Sequence, residues 1–186
     1  LIIVRAHAAL ILDGDAWTDD VALFTNEPVD LDRYAVTGLA PTTASAPPEP
    51  AAPPFAAGGP TLSSDELAAL VPVRRLVGDD RRPLLGIGAR FVRDHLRGRF
   101  AADTVIVLMG CDSLRGRALS EAFLARGAGS VIGWSDQVSA GHTDRATAAL
   151  VAALARGASV AEALQGAMAS IGPDPETGAQ LVAAVR

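Results

Sequence analysis

Short aliphatic runs that stop on a chemically reactive residue constrain this chain more than any other feature. Thr104-Val-Ile-Val-Leu-Met-Gly-Cys-Asp-Ser113 is an apolar run, a glycine and then the only cysteine in 186 residues. Leu1-Ile-Ile-Val-Arg-Ala-His-Ala8 has the same grammar and ends on a histidine. Apolar runs of this kind mark parallel strands buried on both faces, and α/β folds place their chemistry at the carboxyl ends of such strands. One imidazole and one thiol, each at a strand tip, point to a thiolate–imidazole pair and so to a cysteine-nucleophile enzyme.

The rest of the chain alternates strand and helix signals. Residues 1–7 read as a strand, Asp13 to Asp20 as a polar loop, and Val21 to Thr25 as a short second strand. Residues 40–60 form a proline/alanine-rich stretch that no packed core accommodates, and it reads as a surface insertion within a single domain spanning 1–186. Ser63-Ser-Asp-Glu66 is a capping box opening a helix to about Val71, and Ile87 to Leu96 carries helical spacing. Ser113 reads as the cap of a helix with Leu114, Ala118, Leu119, Ala122 and Phe123 on its apolar face, stopped by Gly127. Ser130 to Trp134 is the next strand. A helix from Thr143 or Asp144 to Arg156 follows, then a second capping box, Ser159 to Glu162, opens a helix to about Ser170. Leu181 to Val185 reads as a strand or a helix end. The alternation predicts an α/β fold with a mostly parallel sheet and helices on its faces.

Composition narrows the function. A net charge of −5 argues against a general nucleic-acid binder, and the arginine cluster at 90, 93, 97 and 99 reads as a solvated helix face. A lone cysteine excludes a disulfide framework and a cysteine-rich zinc site, and three scattered histidines lack ligand spacing, so no metal and no cofactor are expected. No stretch has the roughly 18 apolar residues of a membrane span. The reduced thiol fits a cytoplasmic setting. The first residue is already inside the histidine strand, which leads us to expect an N-terminally incomplete sheet, completed by an upstream region or a partner domain.

Cys111 has a physical reason to be reactive: a helix starting just after it would put the sulfur near that helix's positive end and favour thiolate. Its reading as a small buried hydrophobe stands open beside this one. His7 is the favoured partner because it ends an apolar strand; His142, in Ala140-Gly-His-Thr-Asp144, is the rival; His95 lies within a helix. A G-x-S-x-G elbow, a phosphate-binding G-x-x-x-x-G-K-[ST] loop and a G-x-G-x-x-G turn are all missing, which disfavours other α/β hydrolases and transferases.

The two apolar blocks, one ending near His7 and the other at Gly110-Cys111, resemble the caspase–hemoglobinase cysteine peptidases. Met109-Gly-Cys-Asp-Ser113, then Ala122-Phe-Leu-Ala-Arg-Gly-Ala-Gly-Ser-Val-Ile-Gly-Trp134, looks most like the CHAT and separase-type members, as does Leu154-Ala-Arg-Gly-Ala-Ser-Val-Ala-Glu-Ala-Leu164. The resemblance implies a caspase-like three-layer sandwich and hydrolysis of a polypeptide substrate. It implies His7 as general base, Cys111 as nucleophile, and an oxyanion hole from the backbone N–H groups of Ala8 and Cys111. The family usually has glycine where this chain has Ala8. Asp112 and Asp136 are the candidates for an acidic substrate pocket selecting arginine or lysine. A catalytically silent module of the same fold, serving as sensor or scaffold, is the second reading.

Overall fold

The computed structural model describes residues 1–13, 16–28, 63–73 and 83–186. In chain order these form β1 (Ile2–Val4), β2 (Ala8–Asp13), β3 (Ala16–Pro28), α1 (Ser64–Ala68), β4 (Leu70–Val73), β5 (Leu84–Ile87), α2 (Ala89–Asp94), β6 (Val105–Leu108), α3 (Ala118–Ala125), β7 (Ser130–Trp134), α4 (Ala140–Ala155), α5 (Val160–Ile171) and β8 (Leu181–Val185). The architecture is mixed α/β with two sheets. The first has order β1-β6-β7-β8, with β1, β6 and β7 parallel and β8 antiparallel to β7. The second, β2-β3-β5-β4, is antiparallel throughout. The proline/alanine stretch at 40–60 lies outside the described residues.

The buried aliphatic runs behave as their composition dictates. Successive side chains of a strand point to opposite faces. Ile106, Leu108 and Val131 accordingly enter one core with Val92 of α2, Leu119 and Phe123 of α3, and Val21 and Leu23 of β3. Val107, Ile132 and Trp134 enter a second core with Leu150 of α4 and Ala163 and Ala167 of α5. Trp134 is fully buried, and its indole N–H donates to the Thr143 hydroxyl at 2.8 Å.

Several expectations are corrected. The first strand stops at Val4, and Arg5-Ala6-His7 is a link into β2 rather than the strand's end. The polar segment around Asp13–Asp20 is largely strand, because β2 and β3 pair as a hairpin from Ala8↔Leu23 to Asp13↔Ala16. Its carboxylates serve the helices behind it. Asp20 accepts from Ala89 N–H at 3.1 Å and so caps α2, whose own N-cap, Gly88, has no side chain for the task. Asp19 accepts from Arg117 N–H at 2.9 Å at the start of α3. The first capping box forms, but α1 ends at Ala68 and Leu70 to Val73 is strand. Leu84 to Ile87 is likewise strand, and only Ala89 to Asp94 of the expected helix is helical. Helix α4 opens at Ala140, three residues ahead of Thr143. The four arginines at 90, 93, 97 and 99 are exposed, but only Arg90 and Arg93 lie on α2.

Candidate active site

Gly110 decides how close the histidine link and the cysteine turn come. The N–H of Met109 donates to the Val4 carbonyl at 2.8 Å, extending the β1–β6 pairing one residue toward the thiol. A Cβ on Gly110 would fall 2.6 Å from the Ala6 carbonyl oxygen and 2.8 Å from the Ala8 Cβ, so only glycine lets the two segments meet. His7 is fixed by its backbone, its carbonyl accepting from Phe24 N–H at 2.8 Å, while its ring is exposed beside that of Phe24 at 6.3 Å. His7 and Cys111, 104 positions apart (7 to 111), thereby line one cleft of about 560 Å³. Arg5, Ala6, His7 and Phe24 line one side, Met109 to Cys111 a second, and Val138, Ala140 and Thr143 a third.

Cys111 is half-buried. Its sulfur lies 3.5 Å from both the backbone nitrogen and the carbonyl oxygen of Val138, so the segment before α4 holds it in place. The helix expected to start just after the thiol does not. Helix α3 begins at Ala118, seven positions on, and its N-cap is Arg117. Ser113 is no helix cap: fully buried, its hydroxyl donates to the Leu108 carbonyl at 3.3 Å and accepts from Trp134 N–H at 2.9 Å, tying the cysteine turn to β7. Between them Asp112 adopts a positive φ of 55°, held there by its N–H donating to the Asp136 carbonyl at 3.0 Å.

The two carboxylates considered for a substrate pocket do not line the cleft. Nη1 of Arg115 lies 3.2 Å from Asp112 and 3.3 Å from Asp136, clamping both. Burial holds the Asp112 carboxyl above its ordinary range, with the hydrogen bond and charge of Arg115 pulling the other way. Ala8 is buried beside Gly110 and, unlike Ala6 and His7, does not line the cleft. His142 sits apart from the cysteine: its ring is buried, edge-on to Trp134 at 5.5 Å, with Nε2 3.1 Å from the Gly172 carbonyl. Its neighbour Thr143 lines the cleft and His142 does not.

Two contributors escaped the sequence reading. Arg5 lines the cleft and is paired with Asp144 of α4, Nη1 at 2.6 Å and Nη2 at 3.2 Å. A charged residue interrupting an apolar run two positions before His7 was the available signal. Asp174, 1% exposed, accepts from the Ser139 N–H and hydroxyl, both at 2.8 Å, and from the N–H groups of Glu176 and Thr177. Burial alone would raise its pKa, but the donors from Ser139, Glu176 and Thr177 win and hold it down at about 2. It thereby anchors the residue next to Val138. Its signal was the turn sequence Gly172-Pro-Asp-Pro175.

Among the described residues no cluster of histidine, cysteine or carboxylate side chains could hold a metal ion, and no helix is long and apolar enough to cross a membrane. No curated protein and no solved structure matches the chain. The family model of the CHAT domain matches residues 63–180, a span that includes Cys111 and begins downstream of His7. With well over half its length matched, and with the cysteine turn, α3 and β7 all inside that span, the chain belongs to the CHAT-domain family, which is related to the caspase-like cysteine peptidases.

Proposed function

We propose that this chain is a cysteine endopeptidase acting through His7 and Cys111, in one caspase-like domain whose two-faced β1-β6-β7-β8 sheet is the middle layer of a three-layer sandwich. The observation that carries the reading is the shared cleft: the only thiol and an exposed imidazole line it together, across a glycine that admits no side chain. In the proposed reaction His7 takes the thiol proton as Cys111 Sγ bonds to the scissile carbonyl carbon. The carbonyl π electrons move to oxygen, which the N–H groups of Ala8 and Cys111 stabilise. Collapse of that intermediate expels the amine, which receives the proton from His7, and water then releases the acyl group from sulfur. Selection of a basic residue by Asp112 or Asp136 would require either carboxylate to leave Arg115, and the proposal does not depend on it.

Alkylation of Cys111 by iodoacetamide at neutral pH, followed by mass spectrometry, tests the pair together with cleavage of an unbiased peptide library. We expect rapid labelling, slowed by His7→Ala, and a loss of roughly 10²–10⁴-fold in cleavage for that variant. Labelling no faster than a simple thiol and indifferent to His7→Ala would remove the dyad. A second reading, a silent module of the same fold, is favoured by one observation: the family match covers the cysteine but not His7. Labelling without cleavage of any peptide would select it.

A further inference from the structure

Val138 gives both of its main-chain polar groups to the thiol, and its two neighbours account for that. The Gln137 carbonyl accepts from the Thr177 hydroxyl at 2.5 Å, and the Ser139 N–H donates to Asp174 at 2.8 Å. Each of these peptide units is trans and planar, so its C=O and N–H point in opposite directions. By holding the carbonyl of the 137–138 unit, Thr177 turns the Val138 N–H onto Sγ of Cys111. By holding the N–H of the 138–139 unit, Asp174 turns the Val138 carbonyl the same way. The turn that supplies both grips is itself braced. The Thr177 N–H donates to the Asp174 carboxylate at 3.3 Å, and the Asp174 N–H donates to the Ala179 carbonyl at 2.8 Å. The Thr177 hydroxyl accepts from the Ala179 N–H at 3.3 Å, which leaves its own proton for Gln137.

We propose that Thr177 is a positioning residue for the nucleophile: it aims the Val138 N–H at Sγ and so favours the thiolate, with Asp174 as the post that holds Thr177 in place. This rests on the reading of Cys111 as a nucleophile and deepens it. Of the two Val138 contacts, the N–H governs. A hydrogen bond to an ionised acceptor is about twice as strong as one between neutral groups, and a thiol is a weak donor to the carbonyl. Thr177 is exposed and does not line the cleft, so its side chain acts only through the peptide it holds. The charged groups around the thiol have other attachments. Arg5 and His7 share its cleft, Arg5 paired with Asp144 of α4, while Arg115 clamps Asp112 and Asp136. Substituting Thr177 alters none of these charges.

The pH dependence of iodoacetamide labelling of Cys111 in the full chain tests the assignment, because the labelling rate follows the thiolate fraction. Thr177→Val keeps the shape and removes the hydroxyl. It is expected to slow labelling at neutral pH roughly fivefold, the worth of about one ordinary hydrogen bond. The half-maximal pH should move up, and the rates should converge with the parent's at alkaline pH, where every sulfur is ionised. Thr177→Ser retains the hydroxyl and should restore the parent curve. An unmoved curve, a rate lowered equally at every pH, or a serine variant that behaves like the valine one would each overturn the assignment. Asp174→Asn is the second arm. Losing an anion would by charge alone move the curve to lower pH, whereas releasing Thr177 moves it higher. The higher shift is expected, and the lower one would overturn the assignment. Unfolding midpoints identify a variant that does not fold, and Thr177→Val, altered at an exposed side chain, then decides. The parent and Thr177→Val curves are compared whether or not a peptide is cleaved. Labelling of His7→Ala and library cleavage score the peptidase reading separately, so either can fail while the other stands.

Discussion

Gly110 shows how one missing side chain brings two others, those of His7 and Cys111, to one cleft. Adding a methyl there sets it against the Ala6 carbonyl and the Ala8 Cβ, both parts of the rigid entry to β2. Gly110→Ala is expected to lose about 1–3 kcal/mol of stability, as overpacking does, and to push the His7 link away from Cys111. Denaturant unfolding together with the alkylation rate of Cys111 checks this; unchanged values for both would show that the link yields freely. At this scale the sequence was most legible where a residue type is rare. His7 and Cys111 stood out because each ends an apolar run, whereas Arg5 registered only as an interruption. The place of Asp112 and Asp136 was not legible, because their partner Arg115 depends on a turn replacing the expected helix start. Nothing in Cys-Asp-Ser distinguishes a capped helix from a buried serine that ties two strands together.

Elements were legible where their termini carry chemistry of their own. Both capping boxes form, with Ser63 and Glu66 and with Ser159 and Glu162 reciprocally bonded, and β7 spans the residues read from its aliphatic run. The β2–β3 hairpin was hidden because Thr18, Asp19 and Asp20 look like loop, yet from within a strand Asp20 caps α2 and Asp19 holds the N–H of Arg117, just ahead of α3. Asp20→Ala removes the acceptor for Ala89 N–H and for Val21 N–H, the latter at 2.8 Å. It is expected to cost about 1 kcal/mol, within the range for a lost helix cap. Urea unfolding measures the cost, and faster amide exchange confined to the first turn of α2 would locate it. A variant as stable as the parent would mean that water replaces the carboxylate there without penalty.

For the molecule as a whole, the mixed α/β class and the mostly parallel first sheet follow from the alternation of aliphatic runs and helix signals. The second, antiparallel sheet does not, since β2 and β3 meet through polar residues that read as a loop, and the four-residue β4 and β5 sit beside helix signals. Acid stability is a property of this whole assembly, and Asp174 contributes to it in a known direction. Its carboxyl is held at about 2 in the folded protein against an ordinary 3.8. The stabilisation is therefore complete above the ordinary value and lost as pH falls from there through about 2. Asp174→Asn is expected to lower the denaturation midpoint at neutral pH, and the gap from the parent should close over that acid interval. A gap that stays constant down to the lowest pH would mean that Asp174 acts through shape and not through charge.

The pairing of β1 with β6 has a temporal consequence. It joins Ile2, Ile3 and Val4 to residues synthesised a hundred positions later, and the segments that follow the two partners carry His7 and Cys111, which line one cleft. A nascent chain on the ribosome holds the histidine long before the cysteine emerges, and even then the two stay apart until this remote strand contact closes. The cleft that His7 and Cys111 share is thus assembled only after the chain has been made through the cysteine turn and has folded back on its own beginning.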